Sequence, residues 1–194
     1  TFRKHGISFI PLKGVALLES AYKNISERYF CDIDLLVHSK DLRRIDRILT
    51  ESGYNPTPDE PMNYSSDSGL LPVDLHTDVW YMTNQELKDL WADAERTVIS
   101  GTHCFVMPKE EMIIYQAAHS TVHHGYLDEA AKKDLCAMIG SWHTIIDYSR
   151  LVYKLNNYNL LYPFMHLFKT VKYRVNEDAR FNIESLVKYV LREP

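Results

Sequence analysis

Two periodicities divide this chain. Up to about Met107, short apolar runs alternate with polar residues in the manner of strands and are separated by a few amphipathic helical stretches. From Pro108 onward apolar residues recur at helical spacing with little interruption. In the front part, Gly6 to Leu12 reads as a strand, Lys13-Gly14 breaks it, and Val15 to about Lys23 reads as a helix. Residues 41–53 (DLRRIDRILTESG) place Leu42, Ile45, Ile48 and Leu49 on one stripe, with Gly53 as the stop. Tyr54 to Gly69 carries three prolines and little periodicity, so it is expected to be a loop with one short strand around Met62 to Ser65. Asn84 to about Ala94 reads as a helix capped by Thr83 or Asn84, and a hairpin around Ser100-Gly101 follows. Behind Pro108, helices are expected over residues 108–126, 129–154, 160–174 and 183–191.

Two strands in this pattern contain acids where strands normally hold apolar residues. In Cys31-Asp32-Ile33-Asp34-Leu35-Leu36-Val37, alternation sends Asp32 and Asp34 to one face and the apolar residues to the other. Two carboxylates on one face need a cation, because a desolvated carboxylate costs several kcal/mol unless it is paired or metal-bound. The alternative is an edge strand with a wet polar face. In residues 70–80 (LLPVDLHTDVW) the same alternation puts Asp74, His76 and Asp78 together. If the two strands pair, Asp74 completes a three-carboxylate cluster and His76 stands beside it. Lys13-Gly14, between a strand and a helix, suits a phosphate: Gly14 permits close approach and Lys13 adds a charge. An ordinary strand-to-helix turn would look the same.

Bulk properties narrow the partners. The 194 residues suffice for one well-buried domain or a compact two-lobed unit, at 45% hydrophobic and 25% charged. A net charge of −4 and a pI near 6.1 disfavour a polynucleotide partner. The three cysteines, Cys31, Cys104 and Cys136, form no CxxC pair, which argues against a disulfide framework or a thiolate zinc site. A cytoplasmic location and no membrane span are expected, since no apolar run approaches about 18 residues and no signal-peptide core is present. The sequence opens at Thr1 without a methionine, so further chain is expected before it.

Taken in order, IPLKG, a helix, Arg28, CDIDLLV, a helix ending in Gly53-Tyr54, and VDLH resemble the DNA polymerase beta-like nucleotidyltransferase superfamily. Within it the pattern is most similar to the branch of uncharacterised bacterial nucleotidyltransferases. The resemblance covers residues 6–80, with a looser match through HSTVHHGY and TIIDYSRLV. It implies an α+β fold: a small mixed β-sheet nucleotidyltransferase core with flanking helices over residues 1–107, then a C-terminal helical lobe over residues 108–194. It also implies transfer of a nucleoside monophosphate, AMP foremost, from a nucleoside triphosphate such as ATP to an acceptor, with release of pyrophosphate. The acceptor is expected to be a small molecule or a protein rather than nucleic acid. Asp32, Asp34 and Asp74 would be the catalytic carboxylates holding two Mg²⁺ ions, with Mn²⁺ as a substitute. Lys13 and Gly14 would bind phosphate where the superfamily has Gly-Ser, and Arg28 would clamp the triphosphate. His76 would support Asp74 from behind, because an oxygen-rich Mg²⁺ site does not favour imidazole.

The helical part holds further candidates. His119 and His123 are four apart, as are His143 and Asp147, so each pair shares a helix face. His119, His124 and Asp147 are expected on the acceptor side of the site or as polar support between helices. Two other readings remain: a non-catalytic nucleotide-binding module or partner subunit, and a metal phosphohydrolase of the His/Asp type. The second lacks an adjacent His-Asp dipeptide and leaves the acidic strands unexplained.

Overall fold

A computed structural model describes residues 2–22, 24–29, 31–123, 129–175 and 177–190. The chain forms two compact units, one of residues 1–16 and 29–107, the other of residues 17–28 and 108–194. The fold class is α+β.

In the first unit the chain runs through β1 (Phe9–Pro11), α1 (Lys13–Leu17), β2 (Ile33–Val37), α2 (Leu42–Glu51), β3 (Asn55–Thr57), β4 (Glu60–Ser65), β5 (Val73–His76), α3 (Asn84–Asp93), β6 (Glu95–Ile99) and β7 (Thr102–Val106). Five strands make one mixed sheet in the order β1-β2-β5-β4-β3, and only β2 and β5 run parallel. β2 lies inside the sheet and buries both faces, with Leu36 and Val37 fully inaccessible. This is why its apolar residues run together instead of alternating cleanly. The expected stripe of α2 packs inward through Ile45, Ile48 and Leu49. Its stop is where the sequence put it: Gly53 adopts φ +85, a left-handed conformation that glycine reaches at no steric cost, and Tyr54 N–H returns to Leu49 C=O. Thr83 caps α3 in a capping box with Glu86.

Two expectations shift and a third is met. The Pro-rich stretch after Gly53 holds a second strand, β3, beside the expected one, β4, because β4 pairs with β5 and offers β3 its free edge, which overrides weak local propensity. The helix expected over residues 15–23 ends at Leu17, whose carbonyl receives the amides of Ala21 and Tyr22 in a tight turn. The second sheet is the expected hairpin, β6–β7, with both Ser100 and Gly101 at positive φ, as a two-residue turn of primed type requires.

The second unit contains α4 (Lys109–Ala118), a π-helical turn (His119–His123), α5 (Glu129–Trp142), α6 (Tyr148–Asn157), α7 (Leu161–Val171) and α8 (Glu177–Val190). The single helix expected over residues 129–154 is two, since Asp147 caps α6 by accepting from Arg150 N–H. The core here is Ile113, Ile114, Leu135, Met138, Ile139 and the stacked rings of Phe164 and Phe168. Asp134 is fully buried within it. Its carboxylate accepts from Arg28 Nε at 2.7 Å, Arg28 Nη2 at 3.1 Å and Tyr22 O–H at 2.6 Å, so the charge is paired in a two-pronged fork. Burial, then the bond to Asp134, raises the Tyr22 hydroxyl far above its ordinary pKa. Among the described residues no helix is long and apolar enough to cross a membrane.

Removing one partner of a buried ion pair strands the other charge. Asp134→Ala should therefore lower unfolding stability by about 3–5 kcal/mol, read as a shift in the urea midpoint, whereas Tyr22→Phe should cost about 1–2 kcal/mol. A midpoint for Asp134→Ala within error of the parent would contradict this account.

Candidate active site

The parallel pairing of β2 and β5 builds the site. Register sets Asp34 beside Asp74 and Leu36 beside His76, so the two acids and the imidazole emerge from one face of the sheet. His76 Nε2 reaches diagonally to Asp34 Oδ1 at 3.1 Å and back along its own strand to Asp74 Oδ2 at 3.4 Å. Lys13 Nζ donates to the same Asp34 oxygen at 2.6 Å. Lys13 follows β1 directly, and the amide of Leu12 donates to the carbonyl of Asp34 at 2.9 Å, which fixes the lysine against the acid. Lys13 has φ +50, a conformation that costs a non-glycine residue on the order of 1 kcal/mol. Positive φ at a bulky residue beside the buried acid marks a turn held by its surroundings.

Asp34 is only 2% exposed. Burial pushes its pKa up, but the His76 hydrogen bond and the Lys13 charge outweigh burial and hold the carboxyl below its usual range. For His76 burial pushes the other way, towards the neutral ring. The bonds and charges of Asp34 and Asp74 win, and the pKa is raised to about 9, so the ring is an imidazolium that donates to both acids at neutral pH.

Asp34, Asp74 and His76 each offer one ligand atom, all within 4.8 Å of one another. Two carboxylate oxygens at this spacing, one of them desolvated, suit a hard divalent cation; a protonated imidazole does not ligate. His76 bonds both acids and braces Asp34 as well as the expected Asp74.

The other candidates lie as follows. Asp32 precedes β2 in a bend, partly exposed, and is not one of the three residues whose ligand atoms lie within 4.8 Å of one another. Gly14 opens α1 next to Lys13. Arg28 belongs to the second unit, bound to Asp134. His119 follows α4, where its ring stacks on Tyr115 at 6.1 Å. Asp147 is taken up in capping α6, and its own N–H donates to Glu110 at 2.8 Å. His124 lies outside the described residues. The contact that sequence reasoning missed is Lys13 with Asp34, 21 residues apart. An adjacent antiparallel β1–β2 pair is what brings it about, and no local signal announces that pairing.

No curated protein sequence matches the chain. Solved structures do. ANT(2'')-Ia, an antibiotic-resistance factor whose solution structure shows substrate-regulated conformation dynamics, aligns with a TM-score of 0.58 at 12% identity, over 85% of this chain and 91% of that one. A crystal structure of ANT(2'')-Ia in complex with adenylyl-2''-tobramycin aligns with a TM-score of 0.53, also at 12% identity, over 87% and 91%. These likenesses establish the nucleotidyltransferase fold. The profile of a sequence family described as uncharacterised nucleotidyltransferase matches residues 1–176, and with its two acidic strands side by side in that fold, the chain belongs to this nucleotidyltransferase family.

Proposed function

We propose that this protein transfers a nucleoside monophosphate, AMP foremost, from a nucleoside triphosphate to a hydroxyl of a small acceptor molecule. The observation that carries the reading is the Asp34–Asp74 register pair, buried on one side and neutralised by Lys13 and His76. Such an arrangement sets two carboxylates where a divalent cation could take them up, beside a lysine that could turn to a polyphosphate, and it is preformed. The solved complex of ANT(2'')-Ia with adenylyl-2''-tobramycin supports a nucleotidyl group on a small-molecule acceptor.

In this reading Asp34 and Asp74, joined by Asp32 from the bend before β2, would hold two Mg²⁺ ions. Those ions, when bound, would lower the pKa of the attacking hydroxyl and neutralise charge on the departing pyrophosphate. The chain's own residues do the rest. His76 donates to Asp34 and Asp74 and keeps their oxygens at a fixed separation. Lys13 exchanges its bond with Asp34 for triphosphate oxygens, with Gly14 leaving the backbone approachable. Asp74, a third exposed where Asp34 is sealed, accepts the acceptor's proton as its oxygen attacks the α-phosphorus and the bond to the β-phosphate breaks.

Turnover is expected as Mg²⁺-dependent pyrophosphate release from ATP in the presence of a hydroxyl-bearing acceptor, screened over an aminoglycoside and polyol panel. Asp34→Asn and Asp74→Asn should each lower it by about 10²-fold or more with the circular dichroism spectrum unchanged, and Lys13→Ala should act mainly on the KM for ATP. Absence of turnover with every nucleotide and acceptor would favour the nucleotide-binding module instead.

The same charges set a pH dependence of stability. His76 has its folded pKa raised to about 9, so its contribution is complete below its unfolded value near 6.5 and is lost as pH rises through 9. Asp34, lowered, contributes above its unfolded value near 4 and loses that contribution as pH falls. In chelator, denaturant stability should thus peak between about pH 4 and 6.5 and decline towards pH 9, by about 2 kcal/mol after allowing for partial solvent screening of His76. His76→Gln should flatten the alkaline decline; an unchanged decline in that variant would remove His76 as its cause.

A further inference from the structure

A cleft of about 440 Å³ lies within the first unit, between the chain leading into β1 and the β6–β7 hairpin. Ile7, Ser8 and Phe9 line one side, and Arg96, His103 and Phe105 line the other. Its volume is that of a small-molecule site. It is also distinct from the acidic cluster. Phe9 pairs with Val37 on β2, three residues past Asp34, and no member of the cluster lines the cleft.

The walls carry a definite chemistry. No carboxylate lines the cleft, while Arg96 and His103 both do. Arg96 is the register partner of Phe105, and its guanidinium lies over the Phe105 ring at 5.7 Å. Phe105 is braced in turn by the edge-on ring of Trp91 at 6.4 Å, and Trp91 stacks on His38 at 4.0 Å. A guanidinium seated on a braced ring loses less freedom on binding than one waving in solvent. On the opposite side the buried Phe9 ring is held edge-on by Phe2 at 5.7 Å. Arg44, near this end of the fold, donates to the carbonyl of His5 and pairs with Asp41 at 3.3 Å. Cys104 contributes a buried thiol whose pKa burial raises, so it lines the cleft as an apolar group and not as a nucleophile.

We propose that this cleft is a second ligand site, separate from the acidic cluster, for a small aromatic carboxylate. The ring of the ligand would lie among Phe9, Ile7 and Phe105, and its carboxylate would take the planar fork of Arg96 with His103 alongside. One guanidinium and one imidazole match a single carboxylate.

The test is a titration of the full chain, followed by amide NMR shifts and calorimetry, with three probes: benzoate, benzyl alcohol and inorganic phosphate. Benzoate should shift the amides of Thr97 and Cys104, benzyl alcohol should bind at least tenfold more weakly, and phosphate should not bind there. Arg96→Gln should weaken benzoate at least tenfold and His103→Gln by a smaller factor, while Asp34→Asn should leave its affinity within twofold. The proposal is overturned if benzoate shifts the amides of Asp74 and His76 instead, if phosphate binds as well as benzoate, or if Arg96→Gln leaves the affinity unchanged.

Discussion

Asp34 is a carboxylate with almost no access to water, and the site is arranged around that fact. An isolated charge in such a position would take up a proton or push the strand apart. Here a single oxygen receives both Lys13 and His76, and their combined positive charge keeps the group ionised. The three elements that meet at this oxygen are β1 with its following turn, β2 and β5. Pull any one away and the buried charge loses a partner. The antiparallel β1–β2 pairing, the parallel β2–β5 pairing and the left-handed backbone of Lys13 therefore serve one electrostatic requirement.

The arrangement also explains how such a site can be preformed. Lys13 and His76 balance the charges of Asp34 and Asp74 within the folded chain, so the group is held together by its own partners. Asp74 is more open to solvent than Asp34. A sealed acid next to an accessible one, with an imidazolium between them, gives two carboxylates of unlike environment from two short strands. The second unit solves its own burial problem in the same way, with Asp134 held by Arg28 and Tyr22.

Residues beyond the acidic strands show where local pattern is informative. Helix ends marked by capping chemistry sit where the sequence put them: Thr83 with Glu86 ahead of α3, Gly53 after α2, and the Ser100-Gly101 turn. Those signals act over three or four residues, so nothing distant can easily overrule them. The misread places are those in which distant pairing decides. Asn55–Thr57 becomes a strand because β4 offers it an edge, and the helical period across residues 143–147 is interrupted by Asp147 as a cap.

By itself the sequence determined the α+β character, the family resemblance and the two acidic strands, because an acid inside an apolar run is visible in one dimension. Only the tertiary structure decided which acids meet. Alternation grouped Asp32 with Asp34, while the compact group that strand pairing assembles is Asp34, Asp74 and His76. It likewise tied Arg28 to Asp134 and Lys13 to Asp34, pairs separated by 106 and 21 residues. Charge pairing over such separations depends on sheet register and helix packing, and these are set by the burial of the whole core, not by any neighbouring residue.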